Sequence, residues 1–94
     1  MTHPTPEYER IGATIRALSE AYGWKVGTLA HALKFSHAYV SNVMAGRKRP
    51  TVIFCRRFAD LLRVPLAAII SSEEYARAEA ADAEAQAKLT AGVR

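Results

Sequence analysis

Two short stretches with helical spacing, separated by a turn of only a few residues, constrain this chain more than any other feature. They cover residues 26–33 and 37–45, and each repeats small or apolar residues on one face. The inner positions are Leu29, Ala30 and Leu33 in the first stretch and Val40, Val43 and Met44 in the second. Ser36 is suited to cap the second stretch and Gly46 to end it. The pattern predicts two short helices that meet at a wide angle.

Helical patterns also precede and follow this pair. A first helix is predicted over residues 6–22 after the N-cap Thr5, and a fourth helix begins after the cap Thr51. The inner residues are Ile11, Ile15, Leu18 and Tyr22 in the first helix and Phe54, Cys55, Phe58, Leu61 and Leu62 in the fourth. A short fifth helix is predicted over residues 65–70. Because no strand pattern occurs, the fold class is all-α.

The end of the chain is rich in alanine, and a helix is expected from Ser71 to about Leu89. Ser71 and Glu74 have the spacing of a capping box at its start. Its apolar stripe is weak, and the best members are Tyr75, Ala78, Ala85 and Leu89. Such a helix can pack on the domain, pair with another chain or fray. We therefore divide the chain into a flexible N-terminus (1–5), a domain (6–70) and an acidic Ala-rich C-terminal helix (71–94).

Charge is distributed unevenly along the 94 residues, whose formal net charge is +4. Residues 21–59 contain seven Lys and Arg residues and no Asp or Glu. From Ser72 to Arg94 the balance reverses, with five acidic and three basic residues. A basic middle followed by an acidic end points to a polyanion as the partner of the middle.

Several function classes are disfavoured. The longest apolar run, residues 65–70, is far too short to span a membrane, and the start of the chain lacks a secretory pattern, so we expect a cytoplasmic protein. Cys55 has no cysteine partner and is expected to be a small buried hydrophobic residue. His3, His31 and His37 lack partners at a catalytic or metal-binding spacing. We expect no enzyme activity, no cofactor and no metal.

An ordered set of landmarks runs from Ile11 to Ile70 without a gap. They are Leu29-Ala30, Leu33, Phe35-Ser36, Tyr39-Val40-Ser41, Ala45-Gly46, residues 47–50, Phe58-Ala59, Leu62, Val64 and Leu66. The set resembles the lambda-repressor-like (Cro/cI-type, XRE) helix-turn-helix family. The resemblance implies a five-helix domain whose third helix reads the DNA major groove. In this chain the Ala-rich helix follows that domain. Members usually act as dimers on a two-part operator.

The resemblance also implies roles for individual residues. The positions expected to contact bases are His37, Ala38, Ser41 and Asn42. Tyr39 lies at the edge of the same face, where it could contact DNA or be half-buried against the second helix. Asn42 could pair with adenine, His37 with guanine, and Ala38 could offer its methyl to thymine. The positions expected to contact phosphates are Lys25, Thr28, Lys34, Ser36, Arg47, Lys48 and Arg49.

Four residues depart from the family pattern. Lys34 and Arg63 stand where glycine is common, Val26 where glutamine often holds a phosphate, and Met44 where glutamate is frequent. A left-handed backbone at Lys34 would cost roughly 1 kcal/mol, which a fold can tolerate. These departures concern the details of DNA docking rather than the fold.

Two classes of function remain open from sequence. The first is a sequence-specific transcription regulator, most simply a repressor, either a phage Cro-like switch or the autoregulator of a small operon, with double-stranded DNA and a second copy of itself as partners. The second is a protein-interaction module, antitoxin-like or inhibitory, that binds another protein through the acidic C-terminal helix. Neither class involves a membrane, and the first would act at the nucleoid.

Overall fold

The computed structural model describes residues 6–91, which form five α-helices and no strand. The helices are α1 (Pro6–Ala21), α2 (Val26–Leu33), α3 (His37–Met44), α4 (Val52–Leu62) and α5 (Ser72–Ala91). The predicted all-α class is confirmed, the bounds of α1 to α3 agree with the predicted helices to within one residue, and α4 begins directly after Thr51 as predicted. Within this described range, no helix is both long and apolar enough to cross a membrane.

Local sequence signals set the helix ends as expected. The Ser36 hydroxyl accepts a hydrogen bond from the Tyr39 N–H at 3.0 Å, and the Thr51 hydroxyl accepts one from the Phe54 N–H at 3.2 Å. Ser71 and Glu74 form the reciprocal capping box, in which each backbone N–H donates to the other residue's side chain at 2.9 and 3.1 Å. The predicted cap Thr5 and the predicted flexible residues 1–5 lie outside the described range.

One continuous core joins all five helices. Phe54 and Phe58 of α4 are its largest fully buried side chains. The other fully or almost fully buried apolar residues are Ile11, Ile15, Leu29, Ala30, Leu33, Val40, Val43, Cys55, Ala59, Leu62, Ile69, Ile70 and Ala78. The inner faces predicted for α2, α3 and α4 therefore point into the core. Met44 of α3 and Leu61 of α4 lie at its margin.

Gly12 allows α1 to cross α3 at close range, and sequence analysis did not single it out. A Cβ atom at residue 12 would lie 2.2 Å from the carbonyl oxygen of Val43 and 3.0 Å from that of Met44. No side chain fits such a gap, so glycine sets the distance between the two helices. The position of α3 relative to the rest of the domain therefore depends on this residue.

The predictions for Tyr22 and for the short fifth helix were wrong. Tyr22 is 53% exposed, because α1 ends at Ala21 and Gly23, at φ 77°, turns the chain away from the core. The short fifth helix predicted over residues 65–70 is a single 3-10 turn at Leu66–Ala68. Its length is limited because Ile69 and Ile70 enter the core immediately afterwards, and Ser71 already begins the next cap.

The C-terminal helix α5 packs on the domain through its first half. Ala78 is buried and Tyr75 is half-buried, whereas Ala85 and Leu89 of the predicted stripe are exposed. Three ion pairs fasten it to the domain: Glu74 with Arg10, Arg77 with Glu7, and Asp82 with Arg49. Of the three outcomes left open by the sequence, packing therefore applies to the first half of α5, which contacts the domain through both apolar residues and ion pairs.

Candidate nucleic-acid interface

The outer face of α3 carries four of the five side chains predicted to contact bases. His37 and Ala38 are exposed in the first turn, and Ser41 and Asn42 follow one turn later with partial exposure. The inner face, formed by Val40 and Val43, is completely buried. This division leaves a short, mainly polar helix surface that is open to solvent in its first turn and partly exposed in its second.

The N-terminus of α2 lies beside this surface. A Cβ atom at Gly27 would be 3.8 Å from Cδ2 of the His37 ring, so the start of α2 adjoins the first turn of α3. Lys25, at the N-cap position of α2, and Thr28 in its first turn are both exposed. No side chain caps α2, so its first N–H groups retain the positive end of the helix dipole.

Tyr39 is half-buried at the edge of this face, one of the two positions that the sequence left open. Its ring packs against Phe35 and Phe54, with ring centroids 5.1 and 5.6 Å away. Its hydroxyl donates to the carbonyl oxygen of Arg49 at 3.0 Å and accepts from the Thr51 N–H at 3.1 Å. Burial raises the pKa of the Tyr39 phenol above its ordinary value. Because both hydrogen-bonding functions of the hydroxyl are used within the protein, Tyr39 holds the loop between α3 and α4 and is not free to read a base.

The basic loop after α3 begins with two exposed cations, Arg47 and Lys48. Their backbone N–H groups both donate to the carbonyl oxygen of Asn42, at 2.9 and 3.2 Å. The Arg47 side chain also returns to α3, where its Nε–H donates to Oδ1 of Asn42 at 3.0 Å. Gly46, at φ 79°, makes this reversal possible. The loop and the outer face of α3 are therefore one connected surface.

Arg49, predicted to contact a phosphate, is already paired within the protein. Its guanidinium forms an ion pair with Asp82 of α5, and the two side chains are only 24% and 28% exposed. The second carboxylate oxygen of Asp82 accepts a hydrogen bond from the Val52 N–H at 2.9 Å. Asp82 thus binds the loop and the N-terminus of α4 at once. Sequence analysis missed this residue, although it lies four positions after Ala78, on the same face of α5.

The turn between α2 and α3 has the left-handed backbone that the family resemblance implied. Lys34 is exposed and left-handed at φ 62° and ψ 43°, which is the geometry that glycine usually supplies. Arg63, at the end of α4, is likewise left-handed at φ 58°. The side chain of Lys34 leaves the domain at this turn as an exposed cation.

Arg57 supports the same turn, a role that sequence analysis missed. Its Nη1 donates to the carbonyl oxygen of Leu33 at 2.9 Å, and its guanidinium lies over the Phe35 ring, 5.4 Å from the centroid. An arginine at this place satisfies an unpaired carbonyl at the C-terminus of α2. Arg56, its neighbour, is exposed.

The described residues 6–91 contain no group of three or more His, Cys, Asp or Glu side chains that could hold a metal ion. Cys55 is completely buried, as predicted, and this burial raises the pKa of its thiol to about 11. His31 is exposed on α2, and His3 lies outside the described range.

Comparison with known proteins agrees with this architecture. A family model described as a helix-turn-helix domain matches residues 10–69. The restriction-modification controller protein C.AhdI from Aeromonas hydrophila aligns with a TM-score of 0.67 and 21% identity, covering 70% of this chain and 100% of its own. The clp gene regulator ClgR from Corynebacterium glutamicum aligns with a TM-score of 0.66 and 26% identity, covering 94% of this chain and 90% of its own. The comparison with curated proteins gave no match.

Proposed function

Because the chain belongs to the helix-turn-helix domain family, as its resemblance to the lambda-repressor-like proteins predicted, we propose that it is a sequence-specific regulator of transcription that binds double-stranded DNA. In this proposal α3 enters the major groove and its outer face contacts the base edges. The two solved relatives support regulation as the outcome of binding, since one is described as a controller protein and the other as a gene regulator.

The observation that carries the proposal is the exposed polar face of α3 next to uncompensated positive charge. Arg47 and Lys48 are exposed at one end of α3, and Lys25 is exposed beside its other end. No acidic residue occurs between residues 21 and 59. Phosphates of a duplex are attracted to such a frame, and most of the affinity of DNA-binding proteins comes from such contacts.

Within this frame we assign base contacts to His37, Ala38, Ser41 and Asn42. Ala38 offers only a methyl group, so it can favour thymine but cannot form a hydrogen bond. The polar side chains of His37, Ser41 and Asn42 can select among base edges. Ser41 Oγ lies 3.5 Å from His37 Nδ1, so these two side chains are adjacent on the outer face.

Phosphate contacts are assigned to the cations and polar groups at the rim of this face. They are Lys25, Thr28, Lys34, Ser36, Arg47 and Lys48. Arg49 is left out because its guanidinium is paired with Asp82. The uncapped start of α2 adds backbone N–H donors beside Lys25 and Thr28.

A repressor is the simplest regulator of this design, since a bound domain that covers its operator blocks other proteins from the same DNA. We further propose that two copies bind a two-part operator at the nucleoid. Ile53 of α4 and Leu89 of α5 are 56% and 67% exposed and border one open groove of about 570 Å³. Large exposed apolar side chains around a groove favour contact with a second protein chain. The same observation supports the alternative of a protein-interaction module.

Selection of bound duplexes from a random pool tests the proposal. We expect a short enriched sequence, and two inverted half-sites about one helical turn apart if two copies bind together. Fluorescence anisotropy should then give an affinity for that sequence that falls steeply with salt. A pool that stays random, together with no binding at low salt, would contradict DNA binding and favour the protein-interaction module.

A further inference from the structure

We propose that Arg47 holds the side-chain amide of Asn42 in one orientation and thereby contributes to base selection. This inference rests on the proposed function and deepens it. It gives Arg47 a role beyond that of a phosphate contact, which was all that the sequence indicated. Arg47 is in this view a positioning residue that acts through Asn42.

Three hydrogen bonds join Asn42 to the loop after α3, and two of them come from Arg47. The backbone N–H groups of Arg47 and Lys48 donate to the carbonyl oxygen of Asn42 at 2.9 and 3.2 Å. The Arg47 Nε–H donates to Asn42 Oδ1 at 3.0 Å. The backbone contacts fix where the arginine side chain starts, so its return to Asn42 needs little further ordering.

The path of the loop is itself fixed by α1. Gly46 is buried with φ 79°, and a Cβ atom there would lie 3.0 Å from both Cα and Cγ of Glu9. The chain thus passes closely over α1 just before Arg47. This close passage keeps the arginine beside α3.

The chemistry of the pair determines how the amide points. An arginine guanidinium has five N–H donors and no acceptor, and it stays protonated in proteins. It can therefore face only the oxygen of the Asn42 amide, which excludes the flipped orientation. The Nδ2 group of Asn42 then remains as the available donor toward a base.

A fixed donor has a definite preference among bases. In the major groove guanine presents two acceptors, N7 and O6, whereas cytosine presents only a donor, its N4 amino group. We expect Asn42 to reject cytosine at the position that it contacts. An amide that is free to flip can turn its oxygen outward, accept a hydrogen bond from cytosine and lose this discrimination.

Arg47→Lys is the variant that separates positioning from charge. Lysine keeps the positive charge near the phosphates but lacks the planar Nε–H that faces Oδ1. Lys48→Ala is the matched control, since it removes a neighbouring charge and leaves the side-chain contact between Arg47 and Asn42 intact. Asn42→Ala identifies the base position that Asn42 reads. Each of these side chains has solvent exposure in the free protein, and circular dichroism checks that every variant folds.

The measured quantity is the ratio of affinities for the selected duplex and for the duplex with cytosine at the Asn42-dependent position. In the natural protein we expect a ratio of about 5 to 150. Arg47→Lys should lower it about two- to tenfold, the worth of one hydrogen bond, while the salt dependence stays unchanged. Lys48→Ala should leave the ratio unchanged and weaken binding to both duplexes. In the Asn42→Ala background, Arg47→Lys should no longer change the ratio.

Three results would overturn the inference, and they differ from one another. If no duplex binds to the natural protein, the proposed function fails and the inference fails with it. If Asn42→Ala leaves every base preference intact, DNA binding stands but Asn42 is no reader. If Asn42→Ala removes the cytosine discrimination while Arg47→Lys retains it in full, Arg47 contributes charge alone.

Discussion

Removal of the Asp82 carboxylate should destabilise the whole domain, although Asp82 lies in the weakly apolar helix α5. Its two oxygens bind different targets, the Arg49 guanidinium and the Val52 N–H. Loss of a side chain that binds the first N–H groups of a helix costs about 0.5–2 kcal/mol. Hydrogen bonds to charged groups contribute about 1.5–3 kcal/mol each. The contribution of the Asp82–Arg49 pair is smaller than this because both side chains are partly exposed to solvent. We therefore expect Asp82→Ala to lower the unfolding free energy by about 2 kcal/mol.

Urea and thermal unfolding, followed by circular dichroism, measure this change. For a domain of this size, about 2 kcal/mol corresponds to a fall in Tm of roughly 8–16 °C. Glu84→Ala is the control, because Glu84 lies on the same helix, is 70% exposed and forms an ion pair with the exposed Lys88 of the same helix. Its removal should change the unfolding free energy by less than about 0.5 kcal/mol. Asp82→Asn keeps an acceptor for the Val52 N–H and should fall between the two.

Alanine is a better helix former than aspartate or glutamate, so both substitutions gain a little intrinsic helix stability. A loss in Asp82→Ala is therefore a lower bound on what the carboxylate contributes. Equal midpoints for Asp82→Ala and Glu84→Ala would refute the conclusion that α5 fastens the loop and α4.

Three further predictions concern the packing of α3 and the core. Gly12→Ala should lower the unfolding free energy by about 2 kcal/mol or more, because its Cβ atom would lie 2.2 Å from the Val43 carbonyl oxygen. Gly27→Ala is the control, since a Cβ atom has room there, and it should be neutral or stabilising by up to about 1 kcal/mol. Equal unfolding midpoints for the two variants would contradict this prediction. Tyr39→Phe keeps the ring contacts and loses two hydrogen bonds, so urea unfolding should show an unfolding free energy about 1–2 kcal/mol lower. An unchanged unfolding free energy would mean that the hydroxyl contributes nothing to stability. Burial raises the pKa of the Cys55 thiol from 9.0 to about 11, so the unfolded chain loses the thiol proton at a lower pH than the folded protein does. The unfolding free energy should therefore fall as the pH rises from 9 to 11. Cys55→Ala should remove this contribution to the pH dependence of the unfolding free energy.

Local features of the fold could be predicted from sequence because they depend on residues three or four positions apart. The caps at Ser36 and Thr51 and the capping box at Ser71 each need one side chain and one nearby N–H. The left-handed turn at Lys34 followed from the family resemblance, which places this residue where glycine is common. Signals of this kind are contained in a short window of sequence and do not depend on how the helices pack.

Contacts between distant parts of the chain could not be predicted in the same way. The hydrogen bond between Arg49 and Asp82 joins residues 33 positions apart, and that between Arg10 and Glu74 joins residues 64 apart. An Ala-rich helix with a weak stripe does not reveal which face packs or against what. Gly12 was missed for a related reason, since a glycine in a helical pattern does not show which other helix passes over it.

The candidate site was predictable in its outline but not in every member. Exposure of His37 and Ala38 follows from the burial of Val40 and Val43 on the opposite face, which the helical period already indicated. Tyr39 lies between these faces, and only the position of the loop after α3 determines that its hydroxyl is used internally.

The central claim is that the outer face of α3 selects bases while the cations at its rim bind phosphates. Affinities of the natural protein, Asn42→Ala and Lys48→Ala for the selected duplex and for a scrambled one, measured across a salt series, test it most directly. We expect Asn42→Ala to lose about 1–3 kcal/mol of preference for the selected duplex with an unchanged salt slope. Lys48→Ala should weaken binding to both duplexes alike and reduce the slope by about one. If both variants weakened binding to both duplexes by the same factor, or if neither weakened it, the division between base-reading face and phosphate-binding rim would be wrong.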